Sequence, residues 1–361
     1  MEHKLFSSFL LGNLDLSNRI VMAPMTRDRA IGSIPNELIA LYYGQRASAG
    51  LIITEGTAPS PNALGYANIP GLFSKEQVEG WKSTTKAVHE AGGKIFVQLM
   101  HTGRMAKPQF LPEGAEMVAP SAIAAAGKAV KNSQRAAETY TPRAMDLKDI
   151  EHVKNEFAQA GLNAIEAGFD GVELHGANEH LIEQFLSPVS NQRSDQYGGT
   201  VAKRCRFVLE LINSLSDAIG ANKVGIRLSP YGMNSWEEPL VVIETYDYLT
   251  RKINEAGIAY IHHVDHESMG GNQVPLSMKK MIRNNFKITI ILTGGFDKEK
   301  AELALQDNLA DLIGFGRPFI GNPDFVERLQ NNWPINDNLD FSTFYTSGAN
   351  GYIDYETYKP E

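Results

Sequence analysis

Short apolar runs rich in β-branched residues recur along the chain, separated by segments whose apolar residues return every three or four positions. The runs read as strands at Arg19–Met25, Leu51–Thr57, Lys94–His101, Gly171–Gly176, Lys223–Pro230, Ala259–Asp265, Ile288–Gly295 and Leu312–Arg317. The intervening segments read as helices. In one of them Ile150, Val153, Phe157, Ala160, Ala164 and Ala167 share a face, and the run stops at Gly168. Glu-Ala-Gly followed by an apolar residue closes a helix twice, at Glu166–Phe169 and Glu255–Ile258. In both, glycine supplies the left-handed turn that leads into the next strand. Strict alternation of strand and helix packs helices outside a parallel sheet. Eight such strands is the count of a closed (β/α)8 barrel. A doubly wound open sheet shares the alternation, but no G-x-G-x-x-G follows an early strand.

Three segments fall outside the repeat. Residues 5–18 read as a hairpin around Gly12-Asn13, placed to cap the bottom of a barrel. The stretch from Thr102 to about Thr141, rich in Ala, Gly and Pro, is long for a loop after strand three; residues 103–141 are expected to form a lid over an active site. The tail Phe341–Glu361 is aromatic and glycine-containing and is expected to dock. No composition break marks a second domain, so residues 1–361 read as one barrel domain.

Composition narrows the function classes. With 34 basic and 42 acidic residues the net charge is −8, which repels polyanions and argues against nucleic-acid binding. At 43% hydrophobic and 21% charged, the chain is globular. No stretch approaches the roughly eighteen apolar residues of a membrane span. The N-terminus shows no secretory signal, so a cytoplasmic location, without membrane association, is expected. One cysteine, Cys205, precludes within one chain a disulfide, a four-cysteine zinc site or a thiolate-held iron–sulfur cluster. Either a monomer or a homo-oligomer is compatible with this composition.

In a barrel the chemistry gathers at the C-terminal strand ends. There the chain carries Thr26 after strand one, Gln98 in strand three, His175 at the end of strand four, Arg227 in strand five and Arg317 closing strand eight. A buried amide or guanidinium among apolar residues needs partners, and the joint presence of Gln98 and Arg227 suggests a polar ligand. Gly294-Gly295 after strand seven and Gly316-Arg317 after strand eight have the character of a phosphate site, where glycine lets backbone N–H groups approach an anion. His175 and Asn178, three apart, point the same way on a helical turn and are placed to bind one substrate oxygen. His175 and His180, with His262, His263 and His266 after strand six, also raise a metal reading, but the spacings do not match zinc ligation and no metal is expected.

The strings MAPMTR at residues 22–27, YYGQRASAG at 42–50, QLMHTGR at 98–104, FLSPVSNQRSDQYGG at 185–199, FGRP at 315–318 and Gly351-Tyr352 resemble the Old Yellow Enzyme family of FMN-dependent ene-reductases across nearly the whole length. The resemblance implies a TIM barrel with noncovalent FMN at its C-terminal mouth and NAD(P)H as reductant. Carried over by position, Pro24, Met25, Thr26 and Gly56 would line one side of the flavin, with Thr26 bonded to the ring. Gln98 and Arg227 would meet its pyrimidine end, and Gly294, Gly295, Gly316 and Arg317 its phosphate. His175 and Asn178 would bind a carbonyl or nitro oxygen, and Tyr66, Met100 and Tyr352 would shape the pocket. The implied reaction passes hydride from NAD(P)H to flavin and then to the β-carbon of an activated alkene.

Two positions depart from the family pattern. His180 stands where the family usually has a tyrosine proton donor, so it is expected to act as the acid or to tune the pocket while water supplies the proton. Met100 stands where many relatives carry tryptophan and is expected to widen the pocket. The single cysteine separates the chain from iron–sulfur dienoyl-CoA reductases. A phosphosugar isomerase or aldolase barrel lacks support because no obvious catalytic Lys or Glu ends a strand. A flavin-binding barrel with weak or lost turnover, caused by His180, is the remaining alternative.

Overall fold

The computed structural model describes residues 3–125, 140–232 and 238–360. Eight parallel strands close into a barrel in chain order: β1 (Ile20–Met22), β2 (Leu51–Thr57), β3 (Ile95–Leu99), β4 (Gly171–Gly176), β5 (Val224–Leu228), β6 (Tyr260–Val264), β7 (Thr289–Thr293) and β8 (Leu312–Phe315). Closure is made by Ile313 of β8 pairing with Ile20 of β1. The helices are α1 (Glu37–Gly44), α2 (Lys75–Glu90), α3 (Leu147–Glu166), α4 (Leu181–Leu186), α5 (Val201–Ile219), α6 (Pro239–Ala256), α7 (Leu276–Asn285), α8 (Lys298–Gln306), α9 (Pro318–Gly321) and α10 (Phe325–Asn331).

All eight expected strands form, several of them shorter than their apolar runs. β1 stops at Met22 because Pro24 has no N–H for the ladder. β7 stops at Thr293 because Gly294 and Gly295 turn out of the sheet with φ of 141° and 64°. These truncations matter functionally: they release Pro24–Thr26 and the glycine pair onto the mouth. Both Glu-Ala-Gly helix ends behave as expected, with Gly168 at φ 91° and Gly257 at φ 67°. An Asp146/Asp149 capping box starts α3.

Side chains alternate between two cores. Outward residues such as Ile52, Val97, Leu174, Ile226 and Ile313 pack with the helices. Inward residues Val21, Leu51, Phe96, Tyr260, Ile291 and Leu312 fill the lower barrel, and Leu11 and Leu16 of the N-terminal hairpin (Phe9–Leu11 with Leu14–Leu16) plug it from below. The hairpin thus removes the open bottom of the barrel from water. The insertion after β3 is present, its two ends joined by a parallel pair, Val118–Ala119 with Arg143–Ala144. The central part of the expected lid, residues 126–139, lies outside the described residues. Cys205 is buried in α5, and burial pushes its thiol up to about 12, so it behaves as a small apolar residue. Among the described residues no helix is long and apolar enough to cross a membrane.

The tail docks through three buried arginines. Arg27 donates to the carbonyls of Phe344 and Gly351 (3.2 and 2.7 Å). Arg29 donates to those of Thr343, Phe344 and Asn350, and Arg46 to Phe319 and Ile320. Beside them Glu55 of β2 accepts the Arg27 backbone N–H at 3.1 Å. Burial pushes the Glu55 carboxyl up to about 7, and nearby Asp28 adds to the rise against the Arg27 hydrogen bond and charge. A carboxyl raised on folding contributes stability that is complete below the ordinary glutamate range and is lost as pH climbs through about 7. Glu55→Gln removes that loss. Denaturant unfolding at pH 5 and pH 8 should show the variant gaining on the wild type by up to about 3 kcal/mol at the higher pH; an equal difference at both pH values would contradict this assignment.

Candidate active site

Above the apolar floor, the inward positions of β3 to β7 become polar. Gln98 donates from Nε2 to Glu173 Oε1 at 2.7 Å. The other carboxylate oxygen, Oε2, lies 2.8 Å from His262 Nδ1, and His262 Nε2 lies 2.7 Å from Thr293 Oγ1. A carboxylate only accepts, so Nδ1 carries the proton and the threonine hydroxyl donates to Nε2. Glu173 and His262 have no exposed side-chain surface. The belt has room because Gly314 of β8 lacks a side chain; a Cβ there would collide with Thr293 Oγ1. Arg227 is paired in register with His262. Its pKa is lowered by burial, against the attraction of Glu173, and its Nε is buried without a partner among the described residues. Gln98 and Arg227, expected together from sequence, are therefore brought together by Glu173, a residue the sequence analysis did not single out. Its signal was available: Glu173 stands two before His175, on the same face of a strand.

The turn after β4 carries the second cluster. Asn178 and Glu179 both take left-handed backbone, φ 59° and 62°, which β-carbons disfavour and which the surroundings must hold. Glu183 does so from α4: its Oε2 accepts the Glu179 N–H at 2.6 Å and its Oε1 accepts the Ser229 hydroxyl at 2.9 Å, while Ser229 Oγ accepts the Asn178 N–H at 3.1 Å. His266, beyond β6, sits with Nε2 2.7 Å from Asn178 Oδ1 and fixes which end of the amide faces inward. Asn178 Nδ2 consequently lies 3.5 Å from His175 Nε2. His175 Nδ1 has no partner among the described residues, and with the ring proton on Nε2 the imidazole and the amide present two donors suited to a single oxygen between them. His175 is held well below the ordinary imidazole range by burial and by the His180 and Arg227 charges; burial also brings His266 to about 4. Both rings are neutral at neutral pH.

The His180 ring lies tilted by 44° against that of His175, ring centroids 4.7 Å apart. Its Nδ1 is 3.1 Å from the Ala177 carbonyl and its Nε2 is 3.2 Å from the Tyr66 hydroxyl. Nδ1 must donate to the carbonyl, so Nε2 is the nitrogen that faces the Tyr66 hydroxyl. His263 does not join this group: it points to the helix side of β6, where burial drops it to about 3. Among the described residues no cluster could hold a metal.

On the other side of the mouth, Pro24, Met25 and Thr26 are half-buried after β1. Met100 leans over Gly56 so closely that a Cβ on the glycine would lie 2.5 Å from its sulfur. Among the described residues the backbone N–H groups of Gly294, Gly295, Gly316 and Arg317 enter no hydrogen bond, and the exposed Arg317 side chain makes no ion pair. Tyr352, expected to shape the pocket, is fully buried, stacked on Tyr42 at 4.1 Å with the Arg27 and Arg29 guanidinium groups against its ring.

The comparisons agree with this geometry. Residues 4–336 match the family described as NADH:flavin oxidoreductase / NADH oxidase. The chain is 38% identical to 12-oxophytodienoate reductase 1 of Oryza sativa subsp. japonica, over 97% of its own length and 92% of that protein. It is also 38% identical to 12-oxophytodienoate reductase 2 of Arabidopsis thaliana, over 97% and 95%. Morphinone reductase superposes with a TM-score of 0.91 at 39% identity, covering 99% of this chain and 97% of that one; that enzyme has also been solved with tetrahydroNAD bound. The old yellow enzyme homologue of Zymomonas mobilis gives 0.91 at 36%, covering 98% and 100%. With its barrel, its polar mouth and these likenesses, the chain belongs to the NADH:flavin oxidoreductase / NADH oxidase family and is an NAD(P)H-dependent FMN oxidoreductase.

Proposed function

We propose that the chain reduces activated C=C bonds, in enones, nitroalkenes and maleimides, with nitro compounds and nitrate esters as further acceptors, as a cytoplasmic ene-reductase. The observation that carries this reading is the convergence of His175 Nε2 and Asn178 Nδ2 on one point, 3.5 Å apart, at the mouth of the barrel. The residues fit FMN: Arg227 offers an orphaned buried Nε, and the backbone amides of Gly294, Gly295 and Gly316 with Arg317 form a cradle for a phosphate. Gln98 and Arg227 would hold its pyrimidine end, and Pro24, Met25, Thr26 and Gly56 one side of the ring. When bound, FMN accepts hydride from NAD(P)H and returns it to the alkene β-carbon in a ping-pong cycle.

The side chains supply the rest. Neutral His175, donating from Nε2, and the Asn178 amide polarise the substrate oxygen and stabilise the negative charge that grows there as the β-carbon is reduced. Arg227 supplies fixed positive charge. His180 then delivers a proton from Nε2 to the α-carbon as imidazolium, its Nδ1–H staying on the Ala177 carbonyl and Tyr66 orienting the ring. Tyr66 and Met100 border the substrate.

Substitutions at three positions test this. His180→Phe should keep its FMN and lose about 10²-fold in alkene reduction, together with the pH dependence of that half-reaction; an unchanged rate and profile would show that His180 is not the acid. Met100→Trp should penalise bulky alkenes relative to small ones, and an unaltered ranking across a substrate panel would remove Met100 from specificity. His266→Ala releases the Asn178 amide and should raise KM for enones about fivefold, the worth of one hydrogen bond, whereas His266→Gln, which keeps a donor, should restore it.

A further inference from the structure

The polar belt inside the barrel has a consequence for the cofactor's chemistry, and it rests on the placement of the flavin pyrimidine at Gln98 and Arg227. Glu173 is fully buried and makes two hydrogen bonds, from Gln98 Nε2 at 2.7 Å and His262 Nδ1 at 2.8 Å. Neither donor is cationic, because burial lowers the His262 pKa. Both carboxylate oxygens thus accept from neutral side chains, and the cation that Glu173 attracts is Arg227 of the neighbouring strand. Buried charges interact strongly because little water screens them. The same carboxylate also fixes the Gln98 amide: with Nε2 committed to Glu173, Oε1 is the end left to a ligand. We propose that Glu173 is a positioning and redox-setting residue, which orients Gln98 and offsets Arg227 so that the flavin stays a stronger reductant than Arg227 alone would leave it.

The substitution that isolates the charge is Glu173→Gln. Its amide oxygen can accept from Gln98, and its Nε2 can donate to His262 Nδ1 if His262 takes its other tautomer and donates to Thr293 Oγ1. The belt then survives and only the negative charge is lost. Anaerobic dye-linked reductive titration of the holoprotein should show a more positive two-electron midpoint potential. A tenfold gain in binding of reduced over oxidised FMN corresponds to about 30 mV, and a shift of that size or larger is expected, with FMN stoichiometry unchanged. Because Glu173→Gln leaves a buried guanidinium uncompensated, the comparison is repeated between Arg227→Met and Arg227→Met with Glu173→Gln, where a rise is again expected. No rise in either background, or a fall, overturns the assignment. Wild-type protein that takes up no FMN would instead overturn the flavin placement beneath it.

Discussion

A carboxylate sealed inside a barrel must be answered by its neighbours, and Glu173 is the group around which this interior is arranged. Desolvating one charge costs several kcal/mol unless hydrogen bonds and a countercharge replace water. Here Gln98, His262 and Arg227 do so from three different strands. Thr293 completes the chain, and Gly314 stays bare to make room. The lower barrel is lined largely by apolar side chains and closed by the N-terminal hairpin. The upper barrel is polar because the belt needs it to be, and the belt presents Gln98 and Arg227 to the mouth.

The same logic of satisfying buried groups organises the two walls. On one, Glu183 and Ser229 hold Asn178 and Glu179 in backbone conformations that their own β-carbons resist. His266 sets the amide end that faces His175. On the other, Arg27, Arg29 and Arg46 satisfy carbonyls of α9 and the C-terminal tail, with Tyr42 and Tyr352 stacked between them. These arginines sit in or beside two of the family-like strings, MAPMTR and YYGQRASAG, and their side chains bond the scaffold. Arg317, by contrast, is exposed at the mouth, with no ion pair among the described residues.

The fold was largely legible in the sequence because barrel strands are buried on both faces and read as short apolar runs. The end positions were less legible. Pro24 and the Gly294-Gly295 pair ended β1 and β7 early, and the turn chemistry that did so was visible in the residues themselves. Of the site, His175, Asn178, Gln98 and Arg227 could be chosen by their place at strand ends. Glu173, Glu183, Ser229 and His266 could not, since each acts through another residue, up to 88 positions away in the chain. His262 was noticed only as one of several histidines.

The sequence by itself determined the alternation of strand and helix, the absence of any cysteine-held cluster and the identity of the groups that reach the mouth, because periodicity, counts and strand-end position are local properties. Tertiary structure decided what those groups are chemically. It set which amide end of Asn178 and Gln98 faces inward, placed His180 Nε2 against Tyr66, stacked Tyr352 on Tyr42, and surrounded Glu173 with donors. Each of these depends on a partner from a distant strand or on exclusion of water, and neither is encoded within the segment that carries the residue.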